Sequence, residues 1–213
     1  MQKKNLVLVG GGGHCRACID VIEQESFYNI EGILDRSDLI GTNVLGYKVI
    51  GSDDDISRYA KHGYHFLVTV GQIKSASLRK QLFESIRLNG GILATVISPK
   101  ANVSKFAQIN KGTIVMHGVN INASAQIGRN CILNTCSIIE HDAIIGDHVH
   151  ISTAAVINGG CKIGDEVFIG SNATISNHIE IGNNIVVGAG SVVSKSLGEA
   201  GSYVGNPVNK IYK

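Results

Sequence analysis

The chain has 213 residues, 44% of them hydrophobic and only 17% charged, which excludes a disordered polypeptide and provides for one large or two modest domains. Its formal charge of +2 is near balance and no segment concentrates Lys or Arg, so no nucleic-acid footprint is expected. No apolar run approaches the ~20 residues of a membrane span. The opening "MQKKNLVLVGGGGH" is also too short in apolar residues for a signal peptide, so no membrane association and a cytoplasmic location are expected.

In chain order, "NLVLV" reads as a buried strand, "GGGGH" as a turn and "CRACIDVIEQE" as a helix. "IEGILD" and "HFLVTV" read as further strands, "KSASLRKQLFESIRLNG" as an amphipathic helix ending at Gly90-Gly91, and "ILATVI" as another strand. Strands alternating with helices predict a small parallel, Rossmann-like α/β sheet over residues 1–95. A Gly-rich turn between strand and helix suits phosphate, because free N–H groups and the helix dipole both face the anion. Gly10 to Gly13 does not complete a GxGxxG, since Cys15 or Arg16 stands at the third glycine position. A mononucleotide or nucleotide sugar therefore fits at least as well as a dinucleotide. Asp35, ending the second strand, is placed to accept hydrogen bonds from a ribose or base; the alternative is a tight turn with no ligand. The five cysteines are odd in number and lack zinc-ribbon spacing; Cys15-Arg-Ala-Cys18 is formally a CxxC but reads as reduced thiols.

Residues 96–213 follow a different period. From Ile97 to Val193 every sixth residue is Ile, Leu or Val, and the residue two before is mostly small, as at Ala125, Cys131, Ser137, Ala143 and Cys161. A period of six fits neither helix nor simple strand. It predicts a solenoid with three flat faces per eighteen-residue coil, one aliphatic per face pointing to the axis, which is the pattern of a left-handed parallel β-helix. Gly follows the aliphatic at Gly128, Gly146, Gly164, Gly170, Gly182 and Gly188, where it is expected to tolerate the turn's backbone geometry.

The repeat gives addresses to the histidines of "SIIEHDAIIGDHVHIS". His141 stacks between Ala123 and Gly159, and Asp142 between Ser124 and Gly160, so both have open space beside them. His150 lies between Ile132 and Phe168, half a coil from His141. His148, between Asn130 and Glu166, reads as solvated surface. A three-histidine zinc site, as in gamma carbonic anhydrases, would need ligands converging at about 2 Å; with His141 half a turn from His148 and His150, no metal site is expected.

A short Gly-rich α/β domain fused to hexapeptide repeats carrying "ILNTCSIIEHDAIIGDHVHIS" and ending in "VGNPVNKI" resembles the sugar-nucleotide N-acetyltransferases of the bacillosamine and perosamine type, relatives of the sialic-acid O-acetyltransferases. The resemblance spans essentially the whole chain. It implies a homotrimer with active sites between subunits that transfers acetyl from acetyl-CoA to the C4 amine of a nucleotide-linked 4-amino-4,6-dideoxy sugar, in bacterial surface-glycan precursor synthesis. It further implies His141 as general base with Asp142 beside it, where many relatives carry Glu. The implied acetyl-CoA contacts are His150, Gly159, Ser171 and Ala189, and the implied substrate contacts Gly12, Gly13, His14, Asp35, Arg36, Gly71 and Asn134. The backbone of Gly159-Gly160 is the expected oxyanion donor. O-acetylation of a sialic acid by the same His141, a zinc-dependent hydratase, or a scaffold that only senses a nucleotide are the alternative readings.

Overall fold

The structure, a computed structural model, describes residues 3–212, and the chain divides into two compact units. One comprises the residues up to Gly71 together with Ser77–Pro99; the other joins Gln72–Ala76 to the chain from Lys100 onward. Among the described residues no helix is long and apolar enough to cross a membrane.

In the first unit, β1 (Lys4–Val9) leads into α1 (Gly13–Gln24), and β2 (Tyr28–Leu34) follows. After them come β3 (Asn43–Val44), β4 (Tyr47–Gly51), α2 (Ile56–Lys61), β5 (His65–Val68), α3 (Ser77–Leu88) and β6 (Ile92–Leu93). The sheet order is β3-β4-β2-β1-β5-β6. β1 pairs in parallel with both β2 and β5, so the strand preceding the glycine turn lies inside the sheet with its apolar residues covered. Val7, Val9, Leu34, Phe66 and Val68 from the strands pack with Leu82, Phe83 and Ile86 of α3 into the core.

The sheet is not wholly parallel: β3 and β4 form an antiparallel hairpin. Its two turn residues, Leu45 and Gly46, have φ of 49° and 89°. Two positive φ values match the twist of a tight hairpin, but Leu-Gly lacks the Asn-Gly or Asp-Gly signature that would announce one. The "ILATVI" segment is also not one strand, since pairing is interrupted between Ile92–Leu93 and Val96–Ile97.

In the second unit, two-residue strands recur at every repeat and pair in parallel with the strand eighteen residues on. The pairs Ile114↔Ile132, Ile138↔Val156 and Ile144↔Lys162 illustrate this on three separate sheets. The sixfold aliphatics from Val115 to Val193 are all buried, none more than 3% exposed. Burying one such side chain contributes about 1.5–3 kcal/mol, so the repeat is the main source of this unit's stability. The small residues two before them, including Ala125, Cys131, Ser137, Ala143, Ala155 and Cys161, are fully buried.

Two details differ from the sequence reading. Ile97 is 40% exposed while Val96 is buried, so the inward register does not begin at Ile97. The left-handed backbone positions also fall elsewhere than expected. They recur at every sixth residue from Gly112 to Gly190, three after the aliphatic, and include Ser124, Asn130, Asp142, His148, Gly160 and His178. Glycines directly after the aliphatic serve close coil-to-coil approach instead. A Cβ on Gly146 would lie 2.8 Å from the carbonyl carbon of Gly164.

Candidate active site

In the first unit, Gly10 has φ +103°, a conformation that disfavours any side chain, and it turns the chain from β1 toward α1. Gly12 caps α1, and a Cβ on Gly12 or Gly13 would meet nothing within 4 Å, so this helix start is open. Asp35 holds the turn: its Oδ2 accepts from the Gly11 N–H at 2.5 Å and its Oδ1 from the Arg36 N–H at 2.7 Å. Arg36 itself extends to Asp38 at 3.3 Å on the surface. His14 is half-buried, and its Cβ lies 3.5 Å from where a Cβ on Gly71 would be. Thus the glycine turn, His14 and Gly71 are neighbours, and Asp35 supports the turn from beneath. Burial raises the Asp53 carboxyl pKa, and the negative charges of Asp35 and Asp54 raise it further. Carboxylates at this end suit hydroxyl or base N–H donors, whereas the helix start suits phosphate.

The CxxC cysteines are free and buried. Burial pushes the Cys15 thiol up to about 11 and the Cys18 thiol higher still, which leaves both protonated and unreactive at neutral pH.

In the second unit, His141 and Asp142 are exposed at a corner of the coil. His141 Nδ1 lies 2.8 Å from Asp142 Oδ2. Since a carboxylate only accepts, Nδ1 carries the hydrogen and Nε2 presents its lone pair. Asp142 makes this contact from φ 60°, a region that Asp tolerates better than most residues. The imidazole lies over Gly159: a Cβ there would be 2.7 Å from both Cε1 and Nε2. The Gly160 N–H donates to the His141 carbonyl at 3.0 Å, so of the two expected oxyanion donors that one is already occupied.

His148 departs from expectation. It is only 6% exposed, and its Nδ1 pairs with Asn130 Nδ2 at 2.9 Å, so it is a buried group and not wet surface. His150 is 7% exposed, stands edge-on to Phe168 and donates from Nδ1 to the Gln72 carbonyl at 2.6 Å. That bond leaves Nε2 to accept from Asn134 Nδ2 at 3.2 Å. Both ring nitrogens of His150 are engaged within the chain. Asn134 Oδ1 in turn accepts from the Thr135 N–H at 2.8 Å. Ser171 pairs with Ser152 through their hydroxyls at 3.0 Å, and Ala189 stacks one coil beyond it, where the Gly190 N–H donates to the Ser171 carbonyl at 2.8 Å. Ser171 and Ala189 therefore share one corner of the coil, while His141 and Gly159 share another. Among the described residues no group of three His, Cys, Asp or Glu side chains is arranged to hold a metal ion.

A parallel coil of six-residue repeats carrying an exposed His–Asp pair, joined to an α/β unit with an open glycine turn, defines a hexapeptide-repeat transferase. Residues 5–86 match the PglD N-terminal domain, and residues 160–195 match the bacterial transferase hexapeptide (six repeats). A His-to-Asn variant of perosamine N-acetyltransferase from Caulobacter crescentus, solved in complex with CoA and GDP-perosamine, is 30% identical, with 98% of this chain and 97% of that one covered and a TM-score of 0.91. The acetyltransferase domain of PglB from Neisseria gonorrhoeae FA1090, in complex with acetyl coenzyme A, is 27% identical over 99% of this chain and 100% of that one, also with a TM-score of 0.91. UDP-N-acetylbacillosamine N-acetyltransferase from Bacillus subtilis (strain 168) is 35% identical over 116 residues, 53% of this chain and about half, 51%, of that protein. The chain belongs to the family of the perosamine and bacillosamine sugar N-acetyltransferases.

His141, Asp142 and Gly159, expected together from the repeat, do come together. The supporting roles of Gln72 and Gly10 were not foreseen. Neither was His178, although counting eighteen onward from Gly160 reaches that residue.

Proposed function

We propose that the protein transfers acetyl from acetyl-CoA to the C4 amine of a nucleotide-linked 4-amino-4,6-dideoxy sugar, in the supply of precursors for bacterial surface glycans. The observation that carries this reading is the His141–Asp142 pair, with its free Nε2 over Gly159, in a chain that matches a CoA- and GDP-perosamine-bound relative along nearly its full length. The relative's variants replace a histidine, which also supports a histidine role in the family.

The amine must lose a proton to become an amide nitrogen. His141 Nε2 takes it, and Asp142 fixes the tautomer and stabilises the imidazolium, a contribution of about 10²–10⁴-fold. Among the described residues the Gly159 N–H makes no backbone hydrogen bond, unlike that of Gly160, and it serves the oxyanion. The α/β domain (residues 1–95) binds the nucleotide sugar, with phosphate at Gly12 and Gly13, His14 and Gly71 along the sugar nucleotide, and ribose or base toward Asp35 and Arg36. The β-helix domain (residues 96–213), left-handed, binds acetyl-CoA through backbone groups at Gly159, Ser171 and Ala189, and Asn134, oriented by His150, faces the sugar. His141 and Ser171 occupy different corners of the coil, an arrangement that suits a homotrimer with acetyl-CoA bound between subunits. A cytoplasmic location follows from where nucleotide sugars and acetyl-CoA are made.

The test is thiol release from acetyl-CoA with UDP-, GDP- and dTDP-linked 4-amino-4,6-dideoxy sugars, comparing wild type with His141→Ala. Release with one of them, lost by more than tenfold in the variant, is expected. Silence with all three and activity on sialic acid would replace this reading by O-acetylation.

A further inference from the structure

The residues stacked on His141-Asp142 at this corner are Gly159-Gly160 on the next coil and Asn177-His178 on the one after. The backbone ladder fixes that order. The Gly160 N–H donates to the His141 carbonyl and the His178 N–H to the Gly159 carbonyl, both at 3.0 Å. Two successive glycines leave the middle coil without side chains, so a notch one coil wide opens between the outer two. With strands about 4.8 Å apart, the outer coils stand about 10 Å from each other.

Both imidazoles lean into the notch from opposite sides. His141 covers Gly159, with Nε2 2.7 Å from the position of a Cβ there. His178 covers Gly160: a Cβ there would lie 2.8 Å from His178 Cε1 and nearer still to its Nδ1. His178 is exposed and sits at φ 59°, and its ring makes no hydrogen bond among the described residues. It has no part in the core, and its ring lies over Gly160, the residue next to the Gly159 that His141 covers.

We propose that His178 is a second catalytic imidazole, which protonates the thiolate that leaves during acetyl transfer. The inference rests on the acetyl-transfer reading above. In the tetrahedral intermediate the attacking nitrogen and the leaving sulfur are separate substituents of the carbon that bears the oxyanion, so one group can deprotonate the nitrogen while another protonates the sulfur. With the nitrogen at His141 and the oxyanion at the Gly159 N–H, the other imidazole at this corner, that of His178 over Gly160, is the group available to the sulfur. The C–N bond forms as the amine proton passes to His141 Nε2. The oxyanion then collapses, the C–S bond breaks with its electron pair on sulfur, and sulfur takes a proton from the His178 imidazolium. Solvent returns a proton to the exposed His178 and accepts the one held by His141, so amine and thioester become amide and thiol.

The experiment compares wild type, His178→Gln, His178→Ala and His141→Ala with two acetyl donors. One is acetyl-CoA; the other is the acetyl thioester of 4-nitrothiophenol, whose acidic thiol leaves without protonation. The expected result is a loss of about tenfold or more in kcat for both His178 variants with acetyl-CoA, and less than twofold with the aryl thioester. His141→Ala should lose activity with both. Unchanged melting temperatures check that the variants fold, as expected for an exposed side chain. Equal losses with the two donors, or a loss below twofold with acetyl-CoA, would overturn the proposal. Absence of transfer by wild type from either donor would instead overturn the acetyl-transfer reading, and this inference with it.

Discussion

Gly159→Ala separates the geometry of the base from the stability of the coil. The added Cβ would lie 2.7 Å from both Cε1 and Nε2 of His141, closer than carbon and nitrogen atoms can pack. The neighbour that must yield is an exposed imidazole, not backbone, so the ring swings outward and leaves the 2.8 Å contact with Asp142. Gly159 is outside the left-handed region, so alanine brings no backbone strain, and its smaller unfolded-state entropy offsets part of any packing cost by about 0.4–1 kcal/mol. The melting temperature should therefore stay nearly constant. Loss of a positioned base costs about 10²–10⁴-fold in rate, about 3–5.5 kcal/mol at 1.4 kcal/mol per decade. The assay is kcat by thiol release beside calorimetric melting, on Gly159→Ala, His141→Ala and the double variant. Two groups acting through one imidazole should be non-additive, so the double variant should be no slower than His141→Ala. A Gly159→Ala enzyme within threefold of wild type would refute the account, because the imidazole would then work from some other position.

Asp142→Asn should lower kcat by about 10–100-fold with little change in KM, less than for a buried His–carboxylate pair because solvent screens this exposed one; steady-state kinetics checks it. Ile157→Ala removes a fully buried axial side chain and should cost about 2–5 kcal/mol in unfolding free energy, read by denaturant titration. Burial alone would raise the Asp147 carboxyl, but hydrogen bonds and charge from Arg129 outweigh it and hold the group below the usual carboxylate value. A depressed carboxyl contributes stability above its unfolded pKa of about 3.9 and loses it as pH falls through the folded value, so Asp147→Asn should flatten the acid limb of the melting curve below about pH 4.

The sixfold pattern was legible because each turn of the coil repeats one physical demand, an aliphatic toward the axis with a small residue two before it. That demand placed His141, Asp142 and Gly159 together from the chain alone. It did not reach the hairpin at Leu45-Gly46, whose turn conformation is imposed on a residue pair without the usual turn chemistry. Nor did it reach the bond from His150 to the Gln72 carbonyl, 78 residues away and outside the repeat. A period reports which positions share a face or a corner; it carries no information about a segment that folds onto that face. His148 illustrates the same limit within the repeat. Its stacking neighbours Asn130 and Glu166 read as polar, yet Asn130 is fully buried and its side-chain amide pairs with the imidazole. Polarity of the neighbours therefore did not imply solvent. Sterics were the better guide at His141, where glycine on the next coil leaves room for the ring, and the same relation brings His178 to Gly160.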